Sequence, residues 1–431
     1  MILKDALKYA AGVCQSDETY FLINGSSCGI LSAIFSATKQ GGEVIMARNS
    51  HKAVYHGAEL RQLKTHYIYP EMLEEGILSG ITVEMVEDAF EKYPDAKTLI
   101  LTSPTFDGVV SDVKAIVKAA HEKGVTVIVD EAHGGHFLKE SGFPKSAIRC
   151  GADVVVQSIR KMLPAMKQTG LIHINQDYKY KEKMRKYLEI FQSPNPSEML
   201  LESIDDAMHW YVEKGRESYK EYLDNLKKLR IALGAQLKHL KVVMPENVFD
   251  YDLSKTLIST RNTSISGEEF CKCLNEKYDI SSEVVSLDCV LLFTNPKYKK
   301  EDYRKILDVI LEIDTGLEKQ LALNHSKIEM TKPKALMTIG EAVEKKKKAM
   351  PLLESMGEIS AVYIYIYPMG IPLLTPGEKI SERCVTSIQY YLEEGWEIHG
   401  LTKEREIEIV WEEFFTYWGI AQLARFPFIN S

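Results

Sequence analysis

Paired cysteines, long apolar runs and an excess of positive charge are all missing from this 431-residue sequence. Its seven cysteines are odd in number and scattered, so they predict no disulfide framework. The lone Cys271-x-Cys273 pair is too small a motif for a zinc site. No apolar run approaches the roughly 20 residues that a membrane span requires, and no signal-peptide core follows the first residues. We therefore expect a cytoplasmic protein with reduced cysteines.

The charge balance limits the partners of the chain. With 53 basic and 61 acidic residues, the formal net charge is −8. An acidic total disfavours general binding to nucleic acids or to anionic membranes. The length allows two or three domains, and the composition is that of an ordinary globular protein. We expect neither a nucleic acid nor a membrane among its partners.

One short stretch combines a buried strand with a basic cluster. Residues 154–156 are three consecutive valines, and Ser158, Arg160 and Lys161 follow them. A lysine at the mouth of a buried strand is costly to desolvate. Burial lowers the pKa of such a lysine, so that its free amine can act as a nucleophile or form a Schiff base. The alternative is that Arg160 and Lys161 simply open a solvated loop.

A second strand precedes this stretch by one crossover. Residues 125–129 predict a buried strand that ends at Asp130, and Asp130 lies 31 residues before Lys161, the length of one βαβ unit. Because the carboxyl ends of neighbouring parallel strands face one crevice, we expect Asp130 and Lys161 to meet there. Pyridoxal phosphate needs such a pair. The lysine holds its aldehyde as an imine, and the carboxylate keeps its pyridine nitrogen protonated.

A Gly-Ser turn near the start of the chain predicts an anion site. Gly25, Ser26 and Ser27 follow a predicted strand (20–24) and precede a predicted helix (30–39). Free N–H groups at a helix N-terminus and two hydroxyls suit a phosphate, although a serine that caps the helix is a common alternative. The same residues match the G-x-S-x-G elbow of α/β-hydrolases, with Ser27 as the nucleophile. Only one strand precedes the turn, which leaves no room for the usual oxyanion-hole strand.

Three histidines follow predicted strands. His51 comes after a strand at residues 44–47, where its ring can stack on an aromatic cofactor or simply lie in a polar loop. His133 and His136 follow the Asp130 strand in a glycine-rich turn. No helix places both of these rings on one face, so we predict no metal site.

The order of predicted elements divides the chain into three parts. Strand–helix alternation over residues 1–175 predicts a parallel α/β sheet with crossovers on both faces. A long helix over about 197–238 and a smaller α+β region over 240–315 follow. In the remainder, the lysine run 345–348 predicts a solvated helix face. The predicted domains are 1–195, 196–325 and 326–431.

Together these segments resemble the Orn/Lys/Arg decarboxylase class-I family, fold-type-I pyridoxal-phosphate enzymes of bacterial polyamine synthesis. The matching pieces occur in family order and span nearly the whole chain: residues 24–27, 48–52, 130–137, 151–164 and 367–378. The resemblance implies an α/β, transferase-like large domain with a mainly parallel sheet that binds pyridoxal phosphate. It also implies a smaller α+β domain and a C-terminal decarboxylase domain.

The resemblance also implies a role for each candidate residue. Lys161 would form the Schiff base with pyridoxal 5'-phosphate, Asp130 would pair with the pyridine nitrogen, and His51 would stack on the ring. His133 would lie near the imine or the substrate carboxylate. The cofactor phosphate would be held by Gly25, Ser26, Ser27, Ser158 and Arg160.

A glutamate near the C-terminus is the candidate for substrate recognition. In the family the C-terminal Pro-Gly-Glu loop approaches the active site, so the resemblance makes Glu378 a candidate partner for a cationic substrate tail. A distal amine or guanidinium needs a carboxylate, and arginine favours bidentate geometry.

Two features depart from the family pattern. Arg160 stands where the family usually has a histidine before the Schiff-base lysine; an arginine binds phosphate but cannot donate a proton near neutral pH. The family also carries an N-terminal segment that helps build the dimer and covers an active site shared between subunits. This chain starts almost at the helix that follows that segment.

The combined prediction is a cytoplasmic homodimer, or a larger homo-oligomer, that decarboxylates a basic amino acid with pyridoxal phosphate. Arginine is preferred over lysine or ornithine. One alternative is an aminotransferase or lyase that uses the same cofactor on the same fold, since a fold does not fix a function. The other is a non-catalytic homologue that regulates a full-length decarboxylase.

Overall fold

The computed structural model describes residues 2–74, 76–319, 330–367 and 371–411. Its helices are α1 (Ile2–Cys14), α2 (Gly25–Ala37), α3 (Lys52–Leu60), α4 (Val83–Lys92), α5 (Val113–Glu122), α6 (Lys181–Phe191), α7 (Glu198–Trp210), α8 (Arg216–Gln236), α9 (Gly267–Lys272), α10 (Lys300–Thr315), α11 (Ile339–Glu344) and α12 (Glu382–Glu393).

Its strands are β1 (Glu18–Leu22), β2 (Glu43–Ala47), β3 (Lys64–Ile68), β4 (Thr98–Thr102), β5 (Val109–Val110), β6 (Thr126–Asp130), β7 (Val154–Gln157), β8 (Gly170–Ile174), β9 (Lys241–Val242), β10 (Asp250–Tyr251), β11 (Thr256–Ser259), β12 (Ser282–Ser286), β13 (Cys289–Leu292), β14 (Lys347–Pro351), β15 (Ile364–Tyr367), β16 (Pro372–Leu374), β17 (Glu397–His399) and β18 (Glu406–Val410).

The large domain is built on a seven-stranded sheet with the order β1-β8-β7-β6-β4-β2-β3. Strands β3, β2, β4, β6 and β7 are parallel, and β8 is antiparallel to both of its neighbours, β7 and β1. The sheet is therefore mainly parallel, as predicted, and β8 runs in the opposite direction to its neighbours. Since β1 and β7 are both antiparallel to β8, they run in the same direction as each other and as the remaining parallel strands.

Helices cover both faces of this sheet, which explains why its central strands are apolar runs without alternation. Apolar residues of α2, α3 and α6 pack on one face. Those of α4 and α5 pack on the other. At Gly29 in α2, a Cβ would lie 2.6 Å from a methyl carbon of Leu22 and 3.0 Å from one of Val156, so this glycine lets the helix lie close to the sheet.

The predicted long helix over about 197–238 forms as α7 and α8, joined by a π-helical segment at Tyr211–Gly215. Residues of these helices share one hydrophobic core with α1, α10 and the smaller domain. The smaller domain contains a four-stranded antiparallel sheet with the order β12-β13-β11-β9. Pairing of β10 with β5 links it to the large domain.

In the C-terminal part, the lysine run was predicted to be helical, and this was wrong. Helix α11 ends at Glu344, and Lys347 and Lys348 begin β14, which pairs antiparallel with β18. The Lys347 ammonium lies 3.9 Å from the Glu408 carboxylate on that partner strand. Cross-strand pairing of opposite charges thus outweighs the helix propensity of lysine. Within the described ranges, no helix is long and apolar enough to cross a membrane.

A buried ion pair joins the C-terminal part to the large domain. Arg48, which follows β2, is 0% exposed, and its guanidinium lies 2.6 and 2.9 Å from the two carboxylate oxygens of Glu378. The guanidinium also donates to the carbonyls of Pro372 and Leu373. Glu378 Oε2 accepts a further hydrogen bond from the Thr375 amide at 2.8 Å. Such a pair is costly to break, because removal of one partner leaves a buried charge.

We expect Glu378→Gln to lower the free energy of unfolding by about 3–5 kcal/mol, since it leaves the Arg48 guanidinium buried without a counter-charge. Urea unfolding followed by circular dichroism measures the change. Glu358→Gln, at an exposed carboxylate, is the control and should stay within about 0.5 kcal/mol of the wild type. Equal midpoints for the two variants would contradict this account of the pair.

Candidate active site

The parallel strands deliver their following loops to one edge of the large sheet, where a crevice forms. Strands β1, β2, β4, β6 and β7 all end there. Each predicted residue of the large-domain site lies just after one of these strand ends: Gly25, Ser26 and Ser27 after β1, His51 after β2, His133 after β6, and Ser158, Arg160 and Lys161 after β7, with Asp130 as the last residue of β6.

Lys161 ends a single 3₁₀ turn that follows β7 and is anchored by the buried Ile159. Its Nζ atom lies 2.6 Å from Nε2 of His133. The side chain opens onto the crevice but is closely surrounded by protein. Burial lowers the pKa of Lys161 to about 8, and the nearby Asp130 carboxylate opposes this shift. Lys161 therefore has the properties of a lysine whose free amine is available near neutral pH.

Asp130 lies on the adjacent strand, where it pairs with Val156 in the ladder. It is 4% exposed, and its Oδ1 atom accepts a hydrogen bond from the Ala132 amide at 3.0 Å. Burial raises the pKa of its carboxyl, while His51 and Lys161 lower it. In the described parts of the chain, no side chain donates a hydrogen bond to this carboxylate, so it has room for a donor from a bound molecule.

His51 caps the N-terminus of α3, and its Nδ1 atom accepts a hydrogen bond from the Ala53 amide at 3.2 Å. The neutral ring therefore carries its proton on Nε2. Burial lowers the pKa of His51, while Asp130 raises it. The ring is thus held in one tautomer beside Asp130 and close to Lys161.

The N-terminus of α2 lacks a side-chain cap, since the N-cap residue Asn24 makes no capping hydrogen bond. The helix begins one turn earlier than predicted, with Gly25 at φ +75° and with Ser26 and Ser27 in its first turn. Free amides and hydroxyls in a helix N-terminus suit a phosphate. Ser27 forms no side-chain hydrogen bond with any described residue, which gives no support to a hydrolase nucleophile.

The ends of β7 and α2 approach each other through a glycine. At Gly170 a Cβ would lie 2.7 Å from the Gln157 carbonyl oxygen and 3.5 Å from the Ser26 amide nitrogen. Ser158 is the residue after Gln157, and it is 3% exposed. The structure therefore brings Ser158 near the α2 anion site, whereas the Arg160 side chain is exposed.

Two functional candidates from the smaller domain were missed by sequence reasoning. Lys255 comes directly before β11, is 6% exposed, and its Nζ atom lies 3.0 Å from Nδ1 of His133. Glu283, on β12, is half-buried and lies within electrostatic range of Lys161 and Lys255. Lys255 precedes the first residue of β11, whereas Lys161 follows the last residue of β7, so the signal that identified Lys161 does not apply to it.

The structure argues against the predicted role of Glu378. Both of its carboxylate oxygens are used by Arg48, and the side chain is 1% exposed. No oxygen is left for a substrate tail. The sequence motif did identify a carboxylate that approaches the large domain, but that carboxylate neutralises a buried arginine.

The crevice contains polar atoms that fit pyridoxal phosphate. Thr102, which pairs with Asp130 across the sheet, has a buried Oγ1 atom with no partner in the described structure. Ser50, next to His51, has a buried Oγ atom in the same situation. Unpartnered polar atoms, an uncapped helix and a buried carboxylate beside an amine of lowered pKa form a donor set that suits this cofactor.

Comparison with known proteins agrees with this geometry. A family model for the major domain of Orn/Lys/Arg decarboxylases matches residues 2–288, and one for their C-terminal domain matches residues 315–403. The chain belongs to the Orn/Lys/Arg decarboxylase family.

Within this family, the chain is similar over most of its length to curated relatives. An arginine decarboxylase of Bacillus subtilis (strain 168) is 30% identical over 407 residues, which cover 93% of this chain and 83% of the relative. An arginine decarboxylase of Halalkalibacterium halodurans is 28% identical over 411 residues, with coverage of 93% and 83%.

Solved structures of Orn/Lys/Arg decarboxylases share the fold. The constitutive lysine decarboxylase of Escherichia coli has a TM-score of 0.81 at 19% identity, over 95% of this chain and 72% of that chain. The lysine decarboxylase of Francisella novicida has a TM-score of 0.80 at 19% identity, over 94% and 71%. The comparisons confirm the predicted family, the fold class with its mainly parallel sheet, and a decarboxylase enzyme.

The pKa of Lys161 predicts its reactivity in the cofactor-free protein. At pH 7 a lysine with a pKa of about 8 has roughly 200 times more free amine than an ordinary lysine at about 10.4. Reductive methylation with formaldehyde, mapped by mass spectrometry, should therefore modify Lys161 with a midpoint near pH 8. Asp130→Asn removes a charge that favours the ammonium form, so it should lower this midpoint. The exposed Lys179 is the control, and equal reactivity of the two lysines would contradict the prediction.

Proposed function

We propose that this protein decarboxylates a basic amino acid, with arginine preferred, using pyridoxal 5'-phosphate held as a Schiff base on Lys161. The observation that carries the proposal is the position of Lys161, with its lowered pKa, just after β7, the strand next to the one that ends at Asp130. The uncapped N-terminus of α2 at the same edge supports it, because it offers a phosphate site.

Each of the candidate residues takes one part in holding the cofactor. Lys161 would bond to its aldehyde carbon, Asp130 would accept a hydrogen bond from its protonated pyridine nitrogen, and His51 would stack on its ring. The phosphate would lie at the first turn of α2, at Gly25, Ser26 and Ser27 and near Ser158. The exposed Arg160 is a further candidate for binding it. When bound, pyridoxal phosphate supplies an electron sink for the electrons that departing carbon dioxide leaves on the α-carbon.

The side chains around Lys161 manage charge and protons. Burial raises the pKa of the Asp130 carboxyl, and the nearby His51 and Lys161 oppose this shift, so positive charge beside Asp130 favours its anionic form. His133 Nε2 lies 2.6 Å from Lys161 Nζ, a distance over which a proton passes directly between the two nitrogens.

The substrate class follows from the relatives and from a free carboxylate. The curated relatives are arginine decarboxylases. Glu283 is half-buried and forms no hydrogen bond or ion pair with any described residue, while it lies near Lys161. We assign it, in place of Glu378, as the receptor for the cationic tail. A carboxylate binds a guanidinium with two parallel hydrogen bonds, which favours arginine.

The homodimer and the cytoplasmic location remain proposals that rest on the family resemblance. Light scattering after size exclusion measures the first of them directly. A mass of twice the 48.9 kDa chain is the expected result.

The first experiment is the visible spectrum of the purified protein with pyridoxal phosphate, before and after borohydride. We expect an absorption band that borohydride removes, and a reduced adduct on Lys161 by mass mapping. Arginine should release carbon dioxide and the corresponding amine. Lys161→Ala should abolish the band and the turnover, whereas Lys179→Ala, at an exposed site, should retain both. A transamination or elimination product without carbon dioxide would contradict the proposed reaction.

A second prediction tests the tail receptor. Glu283→Gln removes a charge-assisted contact worth roughly 1.5–3 kcal/mol, so kcat/KM for arginine should fall roughly 10–100-fold, mainly through KM. The adduct on Lys161 should be unchanged. Glu276→Gln, at an exposed carboxylate of the same domain, is the control. An unchanged KM would exclude Glu283 as the receptor and leave the decarboxylase assignment intact.

A further inference from the structure

Lys255 is a second lysine in the crevice and, unlike Lys161, it is buried, so that its surroundings fix its position closely. Its side chain lies against Gly108, where a Cβ would come within 2.7 Å of Lys255 Cγ. Its ammonium lies 5.7 Å from the centre of the Phe106 ring. Its carbonyl oxygen accepts hydrogen bonds from Arg230 at 2.8 Å and from the Tyr251 hydroxyl at 2.7 Å. Lys255 therefore has one well-defined direction, toward His133.

The imidazole of His133 lies between two lysine nitrogens. Lys255 Nζ is 3.0 Å from Nδ1, and Lys161 Nζ is 2.6 Å from Nε2. A neutral imidazole has one N–H donor and one acceptor nitrogen, so the two lysines cannot both donate to it. One lysine must donate a hydrogen bond to the ring, and the other must accept one through the lone pair of a free amine.

The charges around the two lysines decide which one donates. Burial lowers the pKa of Lys255, but Asp252, Asp107 and Glu283 all raise it. Burial also lowers the pKa of Lys161, to about 8, with only Asp130 and Glu283 in opposition. Carboxylates of both domains thus surround Lys255, Asp107 from the large domain and Asp252 and Glu283 from the smaller one. Lys161, in contrast, is the lysine that the cofactor aldehyde needs as a free amine.

We propose that Lys255 is a positioning residue: its ammonium donates to Nδ1 of His133 and so fixes the tautomer in which Nε2 carries the proton and faces Lys161. In this arrangement Nε2–H donates to the lone pair of Lys161 when that amine is deprotonated, the form that predominates above about pH 8. The catalytic consequence rests on the proposed function. In that function the substrate amine replaces Lys161 on the cofactor, and His133 then holds a proton next to the site of this replacement. The tautomer of His133 itself does not depend on the proposed function.

Nitrogen NMR of the cofactor-free protein tests the tautomer directly. Protein labelled with ¹⁵N-histidine gives separate shifts for the protonated and the lone-pair nitrogen of a neutral ring, and loss of a signal in His133→Gln assigns the residue. We expect protonated Nε2 in the wild type. Lys255→Gln keeps an N–H donor without the charge and should keep this tautomer. Lys255→Met removes the donor and should shift His133 to the Nδ1–H form or to a mixture.

The same spectra report charge and folding. Burial, Lys255, Lys161, His51 and His136 all lower the pKa of His133. Both Lys255 variants remove one positive charge, so the titration midpoint of His133 should rise in both. His173, which is buried between Thr19 and Gln157, is the internal control and should not shift if the variants are folded. An Nδ1–H ring in the wild type, or an unchanged tautomer in folded Lys255→Met, would overturn the proposal.

Turnover with pyridoxal phosphate then separates positioning from a merely structural role. A wrong tautomer removes general acid–base help, so kcat should fall roughly 100-fold in Lys255→Met, with the adduct on Lys161 retained. Lys255→Gln should recover part of this loss because it restores the donor to Nδ1. If the protein does not decarboxylate arginine at all, the proposed function fails, while the NMR result still decides the role of Lys255. Equal kcat values for wild type and Lys255→Met would overturn the catalytic consequence.

Discussion

Desolvation of Lys161 is the constraint on which the rest of the site depends. An ammonium in a crevice loses much of its hydration, so the protein must either neutralise the charge or release the proton. The structure does some of each: Asp130 lies on the next strand, and the pKa of Lys161 still falls to about 8. Lys161 contacts Nε2 of His133, and Lys255 contacts the other ring nitrogen, Nδ1.

The local order of the chain made part of this arrangement predictable. Asp130 and Lys161 end buried apolar runs that are separated by one crossover, and the rule that parallel strands open to one edge places them together. His51 and the Gly25–Ser27 turn follow from the same rule. The predicted helix after that turn began too late, because its first turn consists of glycine and serines with little helix propensity. An anion site can form there because no side chain caps these residues.

Long-range contacts made the rest unpredictable. Lys255 and Glu283 reach the crevice from the smaller domain, and nothing in their local sequence indicates which side of the sheet they will meet. Glu378 was placed near the substrate by its motif, but its carboxylate neutralises Arg48 in a buried pair. The sequence of strand β8 is an apolar run like those of the other buried strands. Its antiparallel direction is set only by where the chain enters the sheet. In each case the local sequence does not distinguish between the alternative positions or strand directions, and tertiary packing selects one of them.

The distribution of charge gives the crevice two unlike ends. The end at α2 has free helix amides and hydroxyls, which favour an anion such as a phosphate. At the other end, Asp107, Asp252 and Glu283 surround Lys255, and Asp252 is already paired with His136. A carboxylate without a partner there favours a cation, so a substrate with a positive tail would bind in one orientation, with its α-carbon near Lys161. Under the proposed function, electrostatics would set this orientation, with Glu283 of the smaller domain at the tail and the first turn of α2 in the large domain at the phosphate.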